Sequence, residues 1–281
     1  MSFQQIGVIG AGQMGRGIAQ VMATAGYELV LVDLSENALH MALSVIESSL
    51  TKLQDKGLIK ERPSAVLGRI RCETSMNVLA DCDLVIEAAT ENEEIKNKIF
   101  KQLDELCKPD AILASNTSSL SITRLAATTS RPDKVIGMHF MNPVPVLALV
   151  EVINGLQTSA ETTEKVVEAA KRAGKEPIPV KDKAAFVLNR ILLPMINEAI
   201  FALDEGCANV EQIDSIMKLG ASHPIGPLAL ADLIGLDTCL SIMNVLYENF
   251  GDSKYRPAPY LRQMVDAGYL GRKSGRGFYE Y

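Results

Sequence analysis

The chain has 281 residues, of which 47% are hydrophobic, and its formal net charge is −6. A chain of this length and composition can bury a large core and divide into two domains. The negative charge leaves no electrostatic footprint for nucleic acid or an anionic membrane surface, so neither is expected as a partner. Any anionic ligand must therefore meet local lysines and arginines.

The cysteine pattern and the hydropathy indicate a soluble cytoplasmic protein. Five widely spaced cysteines and three histidines form neither a zinc pattern nor a disulfide framework, so no metal is expected and a reducing compartment fits. The first predicted strand begins by Gln5, which leaves no room for a signal peptide. No apolar run approaches the roughly 20 residues of a membrane span.

That first strand, 5–10, leads into a glycine-rich turn with the spacing G-x-G-x-x-G, made of Gly10, Ala11, Gly12, Gln13, Met14 and Gly15. Gly10 permits a tight turn, Gly12 lets backbone approach a pyrophosphate, and Gly15 lets the following helix pack close to the sheet. The six residues are predicted to bind a dinucleotide at the helix N-terminus. The alternative is a glycine-punctuated turn without a ligand.

A second apolar strand, 28–32, ends at Asp33. An acidic residue at this place accepts hydrogen bonds from the ribose hydroxyls of a dinucleotide. Because a carboxylate repels a 2′-phosphate and no arginine follows in 34–36, Asp33 favours NAD over NADP.

Short β-rich runs and helical stretches alternate up to about residue 180. The pattern predicts an α/β fold, a Rossmann-type doubly wound parallel sheet, over 1–183, followed by an all-α domain over 184–281. The further strand candidates are 83–88, 111–115, 135–138, 147–153 and 177–180, and the helix candidates of the second domain are 186–203, 210–219, 227–250 and 259–267. The apolar content of these last helices exceeds what one small bundle needs, which predicts a homodimer through the C-terminal domain.

A long helical excursion, predicted over 36–69, carries the cations Lys52, Lys56, Lys60 and Arg62. The charges have two interpretations. They form a solvated helix face, or they form a basic arm that holds a phosphorylated substrate.

Two segments follow predicted strands and carry reactive side chains. Ser118 and Ser119 come after the strand at 111–115, where ligands bind in open α/β sheets, although either serine could instead be an ordinary helix N-cap. His139 ends another strand, and Glu151 lies in an apolar strand expected to run alongside it. A buried carboxylate needs a partner, so the two form either a catalytic base with its orienting carboxylate or a structural hydrogen bond.

With these segments in view, the chain resembles the 3-hydroxyacyl-CoA dehydrogenases, and among them most the bacterial 3-hydroxybutyryl-CoA dehydrogenases. The resemblance covers nearly the whole chain. Its motifs are the glycine turn, Ser-Asn-Thr-Ser-Ser at 115–119, His-Phe-Met-Asn-Pro at 139–143, Leu-Val-Glu-Val at 149–152, Asn-Arg at 189–190, Lys-Leu-Gly at 218–220, His-Pro-Ile-Gly-Pro at 223–227 and the ending 271–279.

The resemblance implies NAD-linked interconversion of a 3-hydroxyacyl-CoA and a 3-ketoacyl-CoA, with a preference for the four-carbon pair 3-hydroxybutyryl-CoA and acetoacetyl-CoA. It implies that His139 is the general acid/base and Glu151 its partner. Ser118 and Asn189 would hydrogen-bond the reacting oxygens, which requires the two domains to close over the substrate.

The resemblance also assigns binding residues. Positions that contact NAD in the family correspond to Asp33, Glu91, Lys96, Ser118 and Asn142, and Arg272 stands where many relatives have a lysine facing the cofactor. Positions that hold coenzyme A correspond to Ser49 and Lys56, with Lys52 beside them, which supports the basic-arm interpretation.

Two rival functions remain. A 3-hydroxyisobutyrate-type dehydrogenase shares this architecture but works with a lysine where this chain has Asn189, and it does not need the His139–Glu151 pair. A non-catalytic NAD-binding relative, such as the lens protein lambda-crystallin, would not need to keep the four predicted catalytic residues together.

Overall fold

A computed structural model describes residues 3–281, and the chain divides into two units between Asp182 and Lys183. The first unit contains one sheet in the strand order β3-β2-β1-β4-β5-β6-β7-β8. The strands are β1 (Gln5–Ile9), β2 (Glu28–Val32), β3 (Ile70–Glu73), β4 (Leu84–Glu87), β5 (Ile112–Ser115), β6 (Val135–Phe140), β7 (Leu149–Asn154) and β8 (Glu176–Lys181).

Strands β1 to β6 are parallel, whereas β7 is antiparallel to β6 and β8 is parallel to β7. The doubly wound α/β architecture is confirmed, but the sheet is not parallel throughout. Only residues 141–148 connect β6 to β7, and a parallel crossover needs a dozen residues or more. The connection is therefore a hairpin.

Helices of the first unit bury the apolar strands against the sheet. They are α1 (Gln13–Thr24), α2 (Glu36–Asp55), α3 (Pro63–Leu67), α4 (Glu93–Leu106), α5 (Ile122–Ala126) and α6 (Ala160–Arg172). The main core joins α1 and α2 to the strands through buried aliphatic side chains such as Ile18, Met22, Leu29, Leu31 and Ile46. Burial of both sheet faces explains the continuous apolar runs in β1, β2 and β4.

The excursion predicted as helical over 36–69 is two helices, α2 and α3, separated by residues 56–62. Gly57 in this break has a φ of +68°, which ends α2. Strand β3 then follows at a place where no strand is predicted. Its sequence, Ile-Arg-Cys-Glu, lacks an apolar run, and only its pairing with β2 makes it a strand.

The second unit is helical, with α7 (Leu188–Asp204), α8 (Val210–Gly220), α9 (Pro227–Ile234), α10 (Leu236–Phe250) and α11 (Pro259–Asp266). Its core is built from apolar side chains that include Leu193, Ile196, Ile200, Leu228 and Leu246. The single helix predicted over 227–250 is wrong. Gly235, with a φ of +102°, separates α9 from α10 at a bend of 97°.

Within residues 3–281, no single helix is long and apolar enough to cross a membrane. Helices α9 and α10 are together long and apolar enough by length and composition, but a bend of 97° separates them.

Candidate active site

The glycine turn has the geometry that a dinucleotide needs. Gly10 has a φ of +99°, and a Cβ there would lie 2.6 Å from the carbonyl oxygen of Ala88. A Cβ at Gly15 would lie 1.7 Å from the carbonyl oxygen of Gly10, so the close packing of α1 on β1 requires glycine. At Gly12 a Cβ would meet nothing within 4 Å, which leaves open space beside the backbone.

The N-terminus of α1 lies next to that open space. Gly12 is the N-cap residue of α1 and has no side chain that could accept a hydrogen bond. The first backbone N–H groups of the helix, at Gln13 and Met14, are therefore not capped by a side chain. Backbone N–H groups at the positive end of a helix dipole suit a pyrophosphate. The residues present therefore fit the dinucleotide predicted from the sequence.

Asp33 follows β2 and connects that strand to the glycine turn. Its Oδ2 accepts a hydrogen bond from the Ala11 N–H at 2.8 Å, and its Oδ1 accepts one from the Ser35 N–H at 2.9 Å. A carboxylate has about four lone-pair sites, so both oxygens keep acceptor capacity for ribose hydroxyls.

Glu91 organises the turn that contains Ser118. Its Oε1 accepts hydrogen bonds from the Thr117 hydroxyl at 2.7 Å and from the N–H groups of Ser118 at 2.7 Å and Ser119 at 3.1 Å. The alternative that Ser118 or Ser119 caps the next helix is wrong, because Ser121 caps α5 by accepting from the Arg124 N–H. Ser118 is half-buried after the carboxyl end of β5.

Lys96, predicted to contact the cofactor, forms a buried ion pair with Glu87. Its Nζ lies 2.5 Å from Oε2 of Glu87, the last residue of β4, and both side chains are at most 1% exposed. Ser115 donates its hydroxyl to the same Glu87 oxygen at 2.8 Å, and Oε2 of Glu91 lies 3.8 Å from Nζ.

Glu87 also accepts a hydrogen bond from the Ala89 N–H at 2.9 Å, and it escaped the sequence analysis because it looks like one more residue of a buried strand. Since Ala88 and Ala89 pack against Gly10, the Glu87 carboxylate orders the backbone next to the glycine turn. Glu87 is therefore part of the surroundings of the dinucleotide turn.

His139 and Glu151 are cross-strand partners in the antiparallel pair β6 and β7. Nδ1 of His139 lies 2.9 Å from Oε2 of Glu151, and the two residues are 6% and 3% exposed. An ionised carboxylate only accepts hydrogen bonds, so Nδ1 carries the proton and donates. This arrangement fixes the imidazole tautomer and can stabilise an imidazolium ion.

Asn116 connects the end of β5, which precedes Ser118, to the end of β6, which carries His139. Its Oδ1 accepts a hydrogen bond from the Phe140 N–H at 3.0 Å, and its side chain is buried. A single asparagine in a serine-rich segment gives no sequence signal for this bond.

A groove of about 620 Å³ is bordered by α1, α2 and the loop 142–146. Ser49, Lys52 and Lys56, predicted to hold coenzyme A, line it together with Asn142, predicted to contact NAD. Lys175 holds the loop wall of the groove by donating from Nζ to the carbonyls of Val144 and Leu147, the latter at 2.9 Å, and burial lowers the pKa of this lysine.

The remaining predicted site residues belong to the second unit. Asn189 lies in the first turn of α7, after the N-cap residue Val187. Arg272 lies in a short 3₁₀ helix, with its guanidinium 5.1 Å from the centre of the Tyr281 ring. In the described part of the chain no cluster of three or more potential metal ligands occurs.

Comparison with known proteins gives consistent matches for both units. Residues 5–183 match the model of the 3-hydroxyacyl-CoA dehydrogenase NAD-binding domain, and residues 186–281 match that of the family's C-terminal domain. The chain is similar to a 3-hydroxybutyryl-CoA dehydrogenase of Bradyrhizobium diazoefficiens, at 55% identity over 99% of this chain and 95% of the relative. A protein of the same name from Clostridioides difficile is 52% identical over 99% of both chains.

The crystal structure of (S)-3-hydroxybutyryl-CoA dehydrogenase PaaH1 from Ralstonia eutropha superposes with a TM-score of 0.96 at 56% identity, covering 100% of this chain and 99% of that one. The fold and the matches define an NAD-dependent oxidoreductase. The chain belongs to the 3-hydroxyacyl-CoA dehydrogenase family.

Proposed function

We propose that the protein interconverts acetoacetyl-CoA and (S)-3-hydroxybutyryl-CoA with NAD as the cofactor. The observation that carries the proposal is the buried hydrogen bond between His139 and Glu151 at the carboxyl edge of the parallel strands. The names of relatives that share more than half of their residues with this chain support the four-carbon substrate.

His139 is the proposed general base for the oxidation. Since Nδ1 donates to Glu151, the substrate's C3 hydroxyl gives its proton to Nε2, and the imidazolium that forms is stabilised by the Glu151 carboxylate. The chemistry that NAD would supply, held at the glycine turn, is the acceptance of the hydride from C3. In the reverse direction the imidazolium returns the proton to the C3 oxygen. Ser118 and Asn189 are the proposed hydrogen-bond donors to the reacting oxygens.

The proposal assigns two sets of binding residues. The glycine turn, Asp33, Glu91, Lys96 and Asn142 would hold NAD, with Arg272 as a further candidate from the second unit. Ser49, Lys52 and Lys56 would hold the phosphates of coenzyme A, and their shared position on one groove supports this.

The decisive test is oxidation of NADH, followed by its absorbance, with acetoacetyl-CoA as substrate. We expect turnover by the unaltered protein and its loss in the His139→Gln variant. A non-catalytic NAD-binding protein would bind NADH without turnover. A 3-hydroxyisobutyrate-type enzyme would reduce NAD with 3-hydroxyisobutyrate and leave acetoacetyl-CoA untouched.

A homodimer formed through the second unit is part of the proposal. Exposed apolar side chains on its helices support it, namely Ile191, Ile216, Leu219, Leu233 and Tyr247. Light scattering after size-exclusion chromatography should give twice the mass of the chain. The variants Leu219→Glu and Ile191→Glu place a charge on the exposed apolar surface, so at least one of them should lower the measured mass towards that of a single chain. A cytoplasmic location is also proposed, because all five cysteines are free thiols.

A further inference from the structure

The groove between α1, α2 and the loop 142–146 has an unusual charge. The charged side chains that line it are Arg16, Lys52 and Lys56, and no aspartate or glutamate of the described residues lines it. In a chain with a net charge of −6, this is a local concentration of positive charge.

None of these three cations has an ion-pair partner within the described range 3–281. A second cavity, of about 790 Å³, shows the contrast. Its lysines are neutralised by carboxylates, in the pairs Lys108–Asp83, Lys134–Asp110 and Lys165–Glu161. Unpaired cations in one groove and paired cations in the other indicate that the first groove receives an anion.

Arg16 lies on the dinucleotide helix α1, one turn after Gln13 of the glycine turn, and both residues line the groove. Gly17 next to it explains the geometry, because a Cβ there would lie 2.8 Å from the Cβ of Val144. The loop therefore packs against α1 beside Arg16, and the half-buried guanidinium side chain borders the same space as Lys52 and Lys56 of the α2 region.

Gln20 adds an uncharged polar side chain to the groove. It lies one turn after Arg16 on the same face of α1, is 3% exposed and also lines the groove. An amide at this place can donate a hydrogen bond to a polar ligand in the groove.

We propose that Arg16 binds a phosphate group of coenzyme A and adds a third cation to Lys52 and Lys56. This inference rests on the proposed function, which makes the ligand an acyl-CoA. Coenzyme A carries a diphosphate and a 3′-phosphate, and a planar guanidinium can donate two parallel hydrogen bonds to one phosphate. The pyrophosphate of NAD is the other phosphate source, but it belongs at the backbone N–H groups of the glycine turn.

The test is the binding of free coenzyme A by calorimetry, because binding does not depend on turnover. The Arg16→Gln variant should raise the dissociation constant of coenzyme A about tenfold, as expected for loss of a charge-assisted hydrogen bond in a partly solvated groove. Binding of pantetheine, which lacks all phosphates, should stay within about twofold. Arg16→Lys should show a smaller rise than Arg16→Gln, since it keeps the charge but loses the bidentate geometry.

Lys165→Gln is the matched control, because it removes the same charge from the other cavity and should leave coenzyme A binding unchanged. An equal loss of affinity for pantetheine would overturn the proposal by assigning Arg16 a structural role. A rise in the dissociation constant of NADH in place of that of coenzyme A would also overturn it. If the unaltered protein binds coenzyme A but does not turn over acetoacetyl-CoA, the proposed function fails, while the binding comparison still decides the role of Arg16.

Discussion

His139 and Glu151 occupy directly opposed positions on β6 and β7, and 2.9 Å separates Nδ1 of the imidazole from Oε2 of the carboxylate. The direct cross-strand register brings the two side chains together without any loop in between. A hydrogen bond that both strands determine in this way holds the imidazole in one orientation, as the proposed proton transfer requires.

Replacing His139 should impair the chemical step and spare cofactor binding. We expect His139→Gln to lower kcat with acetoacetyl-CoA at least about 100-fold, since a positioned acid–base group contributes about 10²–10⁴-fold. Glu151→Gln should also lower kcat strongly, because a neutral amide no longer stabilises the imidazolium ion. The dissociation constant of NADH, measured by fluorescence, should change little in both variants. Turnover within a few-fold of the unaltered protein would make the pair a structural hydrogen bond.

Asp33 should make the protein select NADH over NADPH. The ratio of the two kcat/KM values measures this, and we expect it to exceed about tenfold because like charges brought together cost several kcal/mol. Asp33→Asn should reduce the ratio, and it keeps an oxygen that can accept from the Ala11 N–H. Selectivity for NADPH in the unaltered protein would contradict this role of Asp33.

Lys56 should contribute to binding of the acyl-CoA. It is the exposed C-cap residue of α2 and lines the groove, so Lys56→Ala should raise KM for acetoacetyl-CoA and leave KM for NADH unchanged. The effect should be larger at low ionic strength, where screening is weak. Lys60→Ala is the control, because Lys60 belongs to the same predicted excursion but does not line the groove. Equal effects of the two substitutions would show that these lysines form a solvated helix face and do not bind the substrate.

The buried Glu87–Lys96 pair should be sensitive to loss of one partner. Glu87→Gln leaves the buried Lys96 ammonium with only the more distant Glu91 carboxylate, at 3.8 Å, so the free energy of unfolding in denaturant should fall by about 3 kcal/mol, the lower end for a broken buried pair. The double substitution Glu87→Gln with Lys96→Met should recover most of that loss. If the single and double variants were equally unstable, the ion pair would not be the cause.

Asp104 should make stability depend on pH in acid. Burial raises the pKa of this carboxyl, but hydrogen bonds from the Ser130 N–H and from Arg131 outweigh burial and leave the pKa below its ordinary value. A carboxyl whose pKa is lower in the folded state stabilises the protein above its unfolded pKa and loses this effect as the pH falls through the folded pKa.

We therefore compare the free energy of unfolding of the unaltered protein with that of Asp104→Asn between pH 7 and pH 3. The difference should stay constant down to about pH 5 and shrink below about pH 4, where the unfolded carboxyl becomes protonated. Glu164→Gln, which alters an exposed carboxylate without an ion pair in the described residues, should show no such change. A difference that is independent of pH would contradict the role of the Asp104 carboxylate.

The sequence predicts those features of the fold that follow from local spacing. The glycine turn and the acidic residue after β2 each depend on one strand and the residues that follow it, and the opposition of His139 and Glu151 depends on two strands joined by a short loop. The sequence does not predict the break at Gly235, because an isolated glycine inside an apolar helical pattern is tolerated at a cost of only about 1 kcal/mol relative to alanine. Strand β3 was missed because its pairing with β2 is not encoded in its own four residues.

The parts of the candidate site that the sequence does not predict depend on packing between distant elements. Arg16 and Lys52 share a groove because α1 packs beside α2, and no local pattern records that neighbourhood. Glu87 and Lys96 lie on β4 and α4, and each looks ordinary by itself, the one in a strand and the other on an amphipathic helix. Tertiary contacts of this kind need the coordinates.

The hairpin between β6 and β7 belongs to two parts of the proposed site. One continuous segment carries both members of the proposed acid–base pair, His139 and Glu151. Its loop, held by Lys175 through the carbonyls of Val144 and Leu147, forms a wall of the groove lined by Arg16, Lys52 and Lys56. A change in this loop therefore affects the His139–Glu151 pair and the groove wall together. A redesign of the preference for coenzyme A should therefore exchange side chains on α1 and α2. A change in the length of the loop between β6 and β7 would also displace His139 and Glu151.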